Sequence, residues 1–265
     1  MILKNLLNEL KCLIIEKLDF LNLYSPVNNL YIKIQPYYPW NIKPFIRRIR
    51  FYSKFVKKGD LCFDIGAHYG SYTRFLLRIG TKVVCVEPQR ECLKKIYETY
   101  GKNKKVIIIG KAVGEKEQFS ELFISESSNY ISTLSNKWRE KSRFSNNFKW
   151  TKTQKVEVTT LDNLIQEYSL PKFCKIDVEG FEFEVLKGLT KIIPIICFEF
   201  TRELFEDAKK CINYLKSLGD VLFNFVKGAS TYFFLPKFVS DDKLYEEIDI
   251  IQDDLLWGDI YARFL

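Results

Sequence analysis

Residues 61–80, LCFDIGAHYGSYTRFLLRIG, constrain the fold more than any other stretch of the chain. The apolar run LCFDI (61–65) is too short for a buried helix and reads as a strand. It enters a turn that holds Gly66 and Gly70 and leaves as SYTRFLLRIG, whose apolar residues recur at helical spacing until Gly80 ends them. The same order then repeats. KVVCVEP supplies a second strand closed by Pro88, ECLKKIYETYG a second helix, and KVIIIG a third strand. Strand, helix and strand in repeated order predict a parallel sheet with right-handed crossovers, hence an α/β fold.

Further along, VEVTT is a strand and LDNLIQEY a helix capped near Thr160. FCKID is a core strand, FEFEVLKG a helix, PIICFEF another strand and RELFEDAKKCINYLKSLG another helix. VLFNFV and STYFFLP read as a closing antiparallel pair joined through Lys227, Gly228 and Ala229. Between Lys111 and Lys155 polar residues dominate, so this stretch reads as a long loop excursion. Its Ser127, Ser128, Asn129, Ser132 and Thr133 are either plain surface loop or a cover over a ligand. Residues 1–58 form an N-terminal appendage to a domain spanning 59–265. Leu3, Leu6, Leu7, Leu10, Leu13, Ile14, Leu18 and Leu21 predict an amphipathic helix that packs on that domain, and QPYYPWNIKP, with three prolines, reads as a loop.

Composition matters where it excludes. No apolar run approaches the length of about 20 residues that a membrane span needs, and charges break up the N-terminus where a signal peptide has its apolar core. The expectation is a cytoplasmic protein, at most peripheral to a membrane. The seven cysteines form no C-x-x-C pair, and Cys62, Cys85, Cys174 and Cys197 lie in apolar runs, as buried thiols in a reducing compartment do. With His68 the only histidine, no stretch clusters ligands at metal spacing, and no metal is expected. Lys43, Arg47, Arg48, Arg50, Lys54, Lys57 and Lys58 follow one another without an acid, interleaved with Phe45, Phe51, Tyr52 and Phe55. They form either a solvated face or a docking surface for an anionic partner or membrane surface. No nucleic-acid motif accompanies them.

The turn itself carries the chemistry. Its G-x-x-x-G spacing is not the G-x-G-x-x-G of dinucleotide binders, and the G-K-[ST] of a phosphate loop is missing. A crevice without a phosphate cradle suits a nucleoside cofactor that has no phosphate. Glu87 ends the second strand 23 residues after Asp64, where an acid accepts hydrogen bonds from ribose hydroxyls. Asp177 ends another strand and Glu179 follows in the loop before Gly180, the place where open α/β sheets bind ligands. Each has a structural role open to it as well, Asp177 as a bond to the glycine loop and Glu179 as a helix cap. Glu182 and Glu184 read as solvated helix residues, and Glu199 as either a site residue or a structural acid in need of a partner.

FDIGAHYGSYT, VVCVEP, VEVTTLDNLI, FCKIDVEGFEFEVLKG and ICFEF, in this order, resemble the FkbM family of methyltransferases from Gly59 to about Thr201; the D-x-E-G of KIDVEGFEFEVLKG is the most diagnostic part. The resemblance implies a Rossmann-like class I methyltransferase fold, with a mostly parallel seven-stranded sheet, helices on both faces and an antiparallel closing strand. It implies S-adenosyl-L-methionine as donor and a hydroxyl oxygen as acceptor, on a sugar, a glycan or a related natural product. It places Asp64, Gly66, Ala67 and Gly70 around the methionine part of the cofactor, with His68 at its amino-acid end as a hydrogen-bonding residue rather than a base. Glu87, with Pro88 beside it, falls on the ribose, Lys111, Ala112 and Val113 near the adenine, and Asp177 and Glu179 by the transferred methyl. Asp177 is expected to be the base, with a role on the sulfonium side of the cofactor as the rival reading. His68 stands where the family commonly has Asn. Two readings of other classes compete: a nicotinamide-dependent oxidoreductase, and a cofactor-binding module without catalysis, against which the intact acids at 64, 87, 177 and 179 speak. Gly66→Val is expected to abolish cofactor binding by steric exclusion rather than by unfolding.

Overall fold

A computed structural model describes residues 39–125 and 128–265. The predicted leucine helix of residues 3–21, and Ser127, lie outside them. Ile49–Leu265 form one compact unit. Helix α1 (Pro39–Tyr52) precedes β1 (Leu61–Ile65), α2 (Ser71–Ile79), β2 (Lys82–Val86), α3 (Arg90–Tyr100) and β3 (Val106–Ile109). After the middle segment come α5 (Leu161–Tyr168), β7 (Phe173–Ile176), α6 (Glu182–Lys187), β8 (Ile195–Thr201), α7 (Phe205–Leu218), β9 (Val221–Lys227), α8 (Asp241–Asp249) and β10 (Trp257–Phe264). The seven-stranded sheet has the order β3-β2-β1-β7-β8-β10-β9, with β1, β2, β3, β7 and β8 parallel and β10 antiparallel to both its neighbours. This is the Rossmann-like α/β sheet expected from the resemblance.

Alternation along the strands divides the core into two faces. Phe63, Ile65, Val84, Val86, Cys174, Ile176, Ile196 and Phe198 meet apolar residues of α5, α6, α7 and α8 in one cluster. The opposite face carries Asp64, Phe173, Lys175, Cys197 and Tyr261, and an aromatic group closes it. Phe55 stacks on Phe173 and Tyr261, Phe51 meets Tyr261 edge-on, and Tyr52 stacks on Phe75 of α2. Phe51, Tyr52 and Phe55 of the basic run are therefore core residues, while Arg50, Lys54, Lys57 and Lys58 face out. That interleaving is amphipathic patterning. Helix α2 ends where Gly80, at φ 102, donates its N–H to the Leu76 and Leu77 carbonyls, and the Thr160 hydroxyl caps α5 by accepting the Asn163 N–H at 3.0 Å.

Three readings of the sequence need correction. QPYYPWNIKP is helical from Pro39 onward, a residue type that fits a first helical turn because its missing N–H would be unpaired there anyway. The polar middle is not plain loop: β4 (Ala112–Val113), β5 (Gln118–Ile124) and β6 (Lys152–Thr159) form a second sheet of order β4-β6-β5, and α4 (Asn136–Lys141) buries Trp138. A fork of Arg143 onto Glu203, at 2.8 and 2.6 Å, ties that segment to the end of β8. Finally, β9 pairs with β10 and not with STYFFLP, which meets β9 through the Phe234 N–H on the Phe225 carbonyl and through Leu235, whose N–H and carbonyl bond the Asn224 side chain. WGDIYARF alternates as a strand should, but it follows an acid-rich stretch that hides the signal.

Candidate active site

The carboxyl ends of β1, β2 and β7 open into one pocket, where ligands of open α/β sheets bind. Gly66 turns the chain out of β1 at φ 76, and its N–H and that of Ala67 donate to the Val86 carbonyl at 3.0 and 3.1 Å. A Cβ on Gly66 would overlap the Asp177 carbonyl oxygen and press on Val178. Glycine is needed there for contact between β1 and β7, so Gly66→Val would break the sheet rather than merely exclude a ligand, contrary to the expectation above. Asp64 is fully buried and lies behind the pocket wall. Its Oδ2 accepts the N–H and hydroxyl of Thr73 at 2.8 and 2.6 Å, pinning α2 to β1, and burial raises its pKa to about 6 against those bonds. Gly70 is likewise off the wall, at φ 75 against the Tyr100 ring, whose hydroxyl donates to the Gly70 carbonyl at 3.0 Å.

The pocket wall collects Gly66, Ala67, His68, Glu87, Pro88, Lys111, Ala112, Val113, Asp177 and Glu179, so all the sequence-predicted site residues except Asp64 and Gly70 meet in one place. Glu87 accepts the His68 N–H on Oε2 and the Gln89 N–H on Oε1, both at 2.8 Å. Each oxygen keeps a lone pair for a further donor. Burial pushes its pKa up to about 7, with the two amides pulling the other way. His68 holds φ 50 with its ring against Tyr69 and Tyr130, at 3.8 and 4.1 Å between centroids. Burial lowers its pKa to about 4, which keeps the ring neutral at physiological pH, and its Nε2 is buried with no hydrogen-bond partner. Lys111 pairs with Glu157 at 2.9 Å. Val86, Pro88, Val113, Leu122 and Leu134 supply apolar wall of the kind a flat base needs.

Acids gather at the other end. The Asp177 N–H continues the ladder to the Ile65 carbonyl at 3.0 Å, so the sheet fixes this residue. Glu179 and Gly180 turn through left-handed backbone, φ 55 and 83, held by the Thr133 hydroxyl on the Glu179 carbonyl at 2.6 Å. Glu182 is not a solvated helix residue: it is buried, and its Oε1 accepts the Val178 and Gly180 N–H groups at 3.0 and 3.3 Å, bracing the D-x-E-G turn. Glu184 does face outward, to Lys187 at 2.7 Å. Glu199 comes in from β8, and Asp177, Glu179 and Glu199 can each bring an oxygen within 4.8 Å of the others'. Burial raises the pKa of all three, and the other carboxylates add to it, against Lys175.

Lys175 is the residue that sequence reasoning missed. Its side chain is 0% exposed, 3.1 Å from Asp177 Oδ2 and 3.0 Å from Asp259 Oδ1, and its ammonium stands 5.0 Å from the centre of the Tyr72 ring. Burial alone would depress its pKa, but the two carboxylates outweigh it and hold it well above the ordinary lysine range. The signal was available, because a lysine in the middle of the apolar strand FCKID must find a countercharge.

The methyltransferase FkbM domain matches residues 64–222, more than half of the chain. The chain belongs to the FkbM methyltransferase family. Family membership carries S-adenosylmethionine as the methyl donor and replaces the nicotinamide oxidoreductase alternative. No curated protein matches the chain significantly. Among solved structures, the chain is similar to precorrin-6Y C5,15-methyltransferase from Geobacter metallireducens at 13% identity, over 82% of this chain and 87% of that one, with a TM-score of 0.43. It is similar to an rRNA methylase from Streptococcus thermophilus at 11% identity, over 82% and 93%, with a TM-score of 0.43. A third, SMU.1697c from Streptococcus mutans, described as a methyltransferase and solved in complex with SAH, is 12% identical over 84% and 98%, with a TM-score of 0.43. None of the three bears on what this FkbM chain methylates.

Proposed function

We propose that this FkbM-family chain transfers the methyl group of S-adenosylmethionine to a hydroxyl oxygen of a sugar, glycan or related natural product, with Asp177 as the base. The observation that carries the reading is that Glu87, the Gly66 turn and the acids Asp177 and Glu179 line one pocket. Glu87 has the free lone pairs to receive two ribose hydroxyls, and Lys111, Ala112 and Val113 flank the place for the adenine. Gly66, Ala67 and His68 border the amino-acid end, where the unpartnered His68 Nε2 accepts a donor. Asp64 and Gly70 support this end from behind the wall.

The bound cofactor supplies a methyl carbon already activated by its sulfonium. The protein then has two tasks, to align the acceptor and to remove its proton. Asp177 Oδ2 is held by Lys175, and its raised pKa gives it the basicity to take a hydroxyl proton as the oxygen–carbon bond forms. Asp259 neutralises Lys175 from the far side and so tempers its pull on Asp177. Glu179 is the next candidate for the base. The exposed Arg50, Lys54, Lys57 and Lys58 are proposed to meet an anionic surface that carries the acceptor. Sedimentation with anionic vesicles at low salt, lost at high salt, is the expected result there.

The test of function is transfer of labelled methyl from S-adenosylmethionine to glycans or lipids extracted from cells that lack the protein, read by mass spectrometry as a gain of one methyl group. Label that appears only on nitrogen or carbon would overturn the oxygen assignment.

A further inference from the structure

The amino ends of five neighbouring parallel strands, β3, β2, β1, β7 and β8, form the edge of the sheet opposite the pocket. Each strand is entered through a lysine. Lys104 and Lys105 precede Val106 of β3, Lys82 begins β2, Lys58 stands three residues before Leu61 of β1, Lys172 one before Phe173 of β7 and Lys191 four before Ile195 of β8. Backbone bonds carry the strand register out to this row. The Val83 N–H donates to the Lys105 carbonyl, the Lys82 N–H to the Asp60 carbonyl and the Lys172 N–H to the Leu61 carbonyl, each at 2.8 Å, and Lys58 lies against Gly80 just ahead of β2. At a strand spacing of about 4.8 Å the row is about 19 Å wide.

All six side chains are exposed, and among the described residues none has a carboxylate within 4.0 Å. On other faces of the molecule lysines do pair: Lys111, Lys187 and Lys216 meet Glu157, Glu115 and Asp241. Of the acids near the row, Asp60 accepts the Lys57 N–H, Glu167 accepts the Tyr168 hydroxyl, and Asp220 stands at the far end before β9. Six like charges within about two screening lengths repel one another, and a partner of opposite charge relieves that repulsion. Aliphatic side chains protrude from the same end. Leu170, two residues before Lys172, is 49% exposed, Ile192, next to Lys191, 45%, and Leu265, whose N–H donates to the Asp220 carbonyl at 3.0 Å, 81%. Against a polynucleotide, which is held by charge and stacking, such side chains gain nothing. At the boundary between lipid headgroups and acyl chains they gain burial.

We propose that this edge of the sheet docks on an anionic lipid bilayer, with the six lysines at the headgroups and Leu170, Ile192 and Leu265 inserted below them. The proposal gives a partner to the anionic surface assigned to Lys58 and its neighbours, adds five lysines outside the basic run, and does not depend on methyl transfer. It also fixes an orientation. The pocket opens at the other ends of the same strands, a β1 length of about 16 Å away. The docked chain therefore presents its pocket to water, and an acceptor borne by the membrane reaches it only by standing clear of the headgroups.

The test is co-sedimentation of the full chain with vesicles of equimolar phosphatidylglycerol and phosphatidylcholine. Binding is expected that vesicles of phosphatidylcholine alone do not support and that added salt weakens. Each lysine near an anionic membrane changes partitioning about fivefold, so Lys82→Gln, Lys105→Gln and Lys172→Gln together should lower it about a hundredfold. Leu170→Ser with Ile192→Ser should lower it about tenfold, the equivalent of about two methylene groups leaving lipid. Calorimetry should show S-adenosylhomocysteine binding equally to both variants, to the free chain and to the vesicle-bound chain. Partitioning unchanged in the triple lysine variant would overturn the inference; if Arg50→Gln with Lys54→Gln abolishes it instead, the basic run keeps its anionic surface without the sheet edge. Absence of any vesicle binding would sink both. Serine variants that partition normally, together with binding of polyuridylate that the triple variant loses, would give the edge to a polynucleotide and overturn the bilayer. Loss of S-adenosylhomocysteine binding on the vesicle would overturn the orientation, whereas its failure to bind the free chain would count against the cofactor reading and leave the vesicle result standing.

Discussion

Cofactor affinity should rise with pH through the titration of Glu87. In the free protein burial holds this carboxyl at about 7. Two ribose hydroxyls donating to it favour the charged form, so the pKa in the complex lies lower, and between the two values binding expels a proton. Affinity then climbs up to tenfold per pH unit and levels off above 7. Return of the carboxyl to its ordinary 4.5 sets the ceiling. That is two and a half powers of ten, or about 3.4 kcal/mol. Two hydrogen bonds to a charged group, at about 1.5–3 kcal/mol each, are enough to reach it. Calorimetry with S-adenosylhomocysteine between pH 5 and 7.5, in buffers of different ionisation enthalpy, reads both the affinity and the released proton. Glu87→Gln should flatten the profile and weaken binding at pH 7.5. If the slope persists in that variant, another buried acid, Glu182 at about 7 or Asp64 at about 6, carries the dependence and the ribose assignment fails.

Asp177→Asn should lower the single-turnover rate about 10²–10⁴-fold with cofactor affinity nearly unchanged; collapse of affinity with the rate retained would move Asp177 to the sulfonium side. Lys175→Met should destabilise the fold by about 3–5 kcal/mol in urea denaturation, because it strands Asp177 and Asp259, and adding Asp259→Asn should recover part of the loss. Gly66→Ala should cost more than the roughly 1–2 kcal/mol of left-handed backbone alone, since the Asp177 carbonyl blocks its Cβ; a melting temperature equal to that of the unmodified protein would contradict the contact.

The parallel half of the sheet was legible because β1, β2, β7 and β8 are buried on both faces and so read as unbroken apolar runs. Glu87 and Asp177 were legible for a related reason, as the first acids after such runs. What escaped depends on how the chain folds back on itself. Glu182 has the sequence context of a surface helix, and only the D-x-E-G turn folding back gives it the Val178 and Gly180 amides. Trp138 and Ile131 sit among polar residues, so a moving average of hydropathy hides the two side chains that anchor the segment. Asp64 and Gly70 show the opposite error. Their motif neighbours line the pocket, but their own side of the turn faces the core.

Strand β10 enters the sheet between β8 and β9, although it is synthesised after both. On the ribosome, therefore, the strand that closes the sheet emerges last, and until it docks β8 and β9 have an open slot between them. Asp259 arrives on that strand, 84 residues after Lys175. A nascent or truncated chain that has everything up to β9 holds the glycine turn, Glu87 and Asp177, yet of the two carboxylates that pair with Lys175 it has Asp177 alone. Insertion of β10 is thus the step that gives Lys175 its second carboxylate, and the charge balance around Asp177 is complete only once that strand has docked.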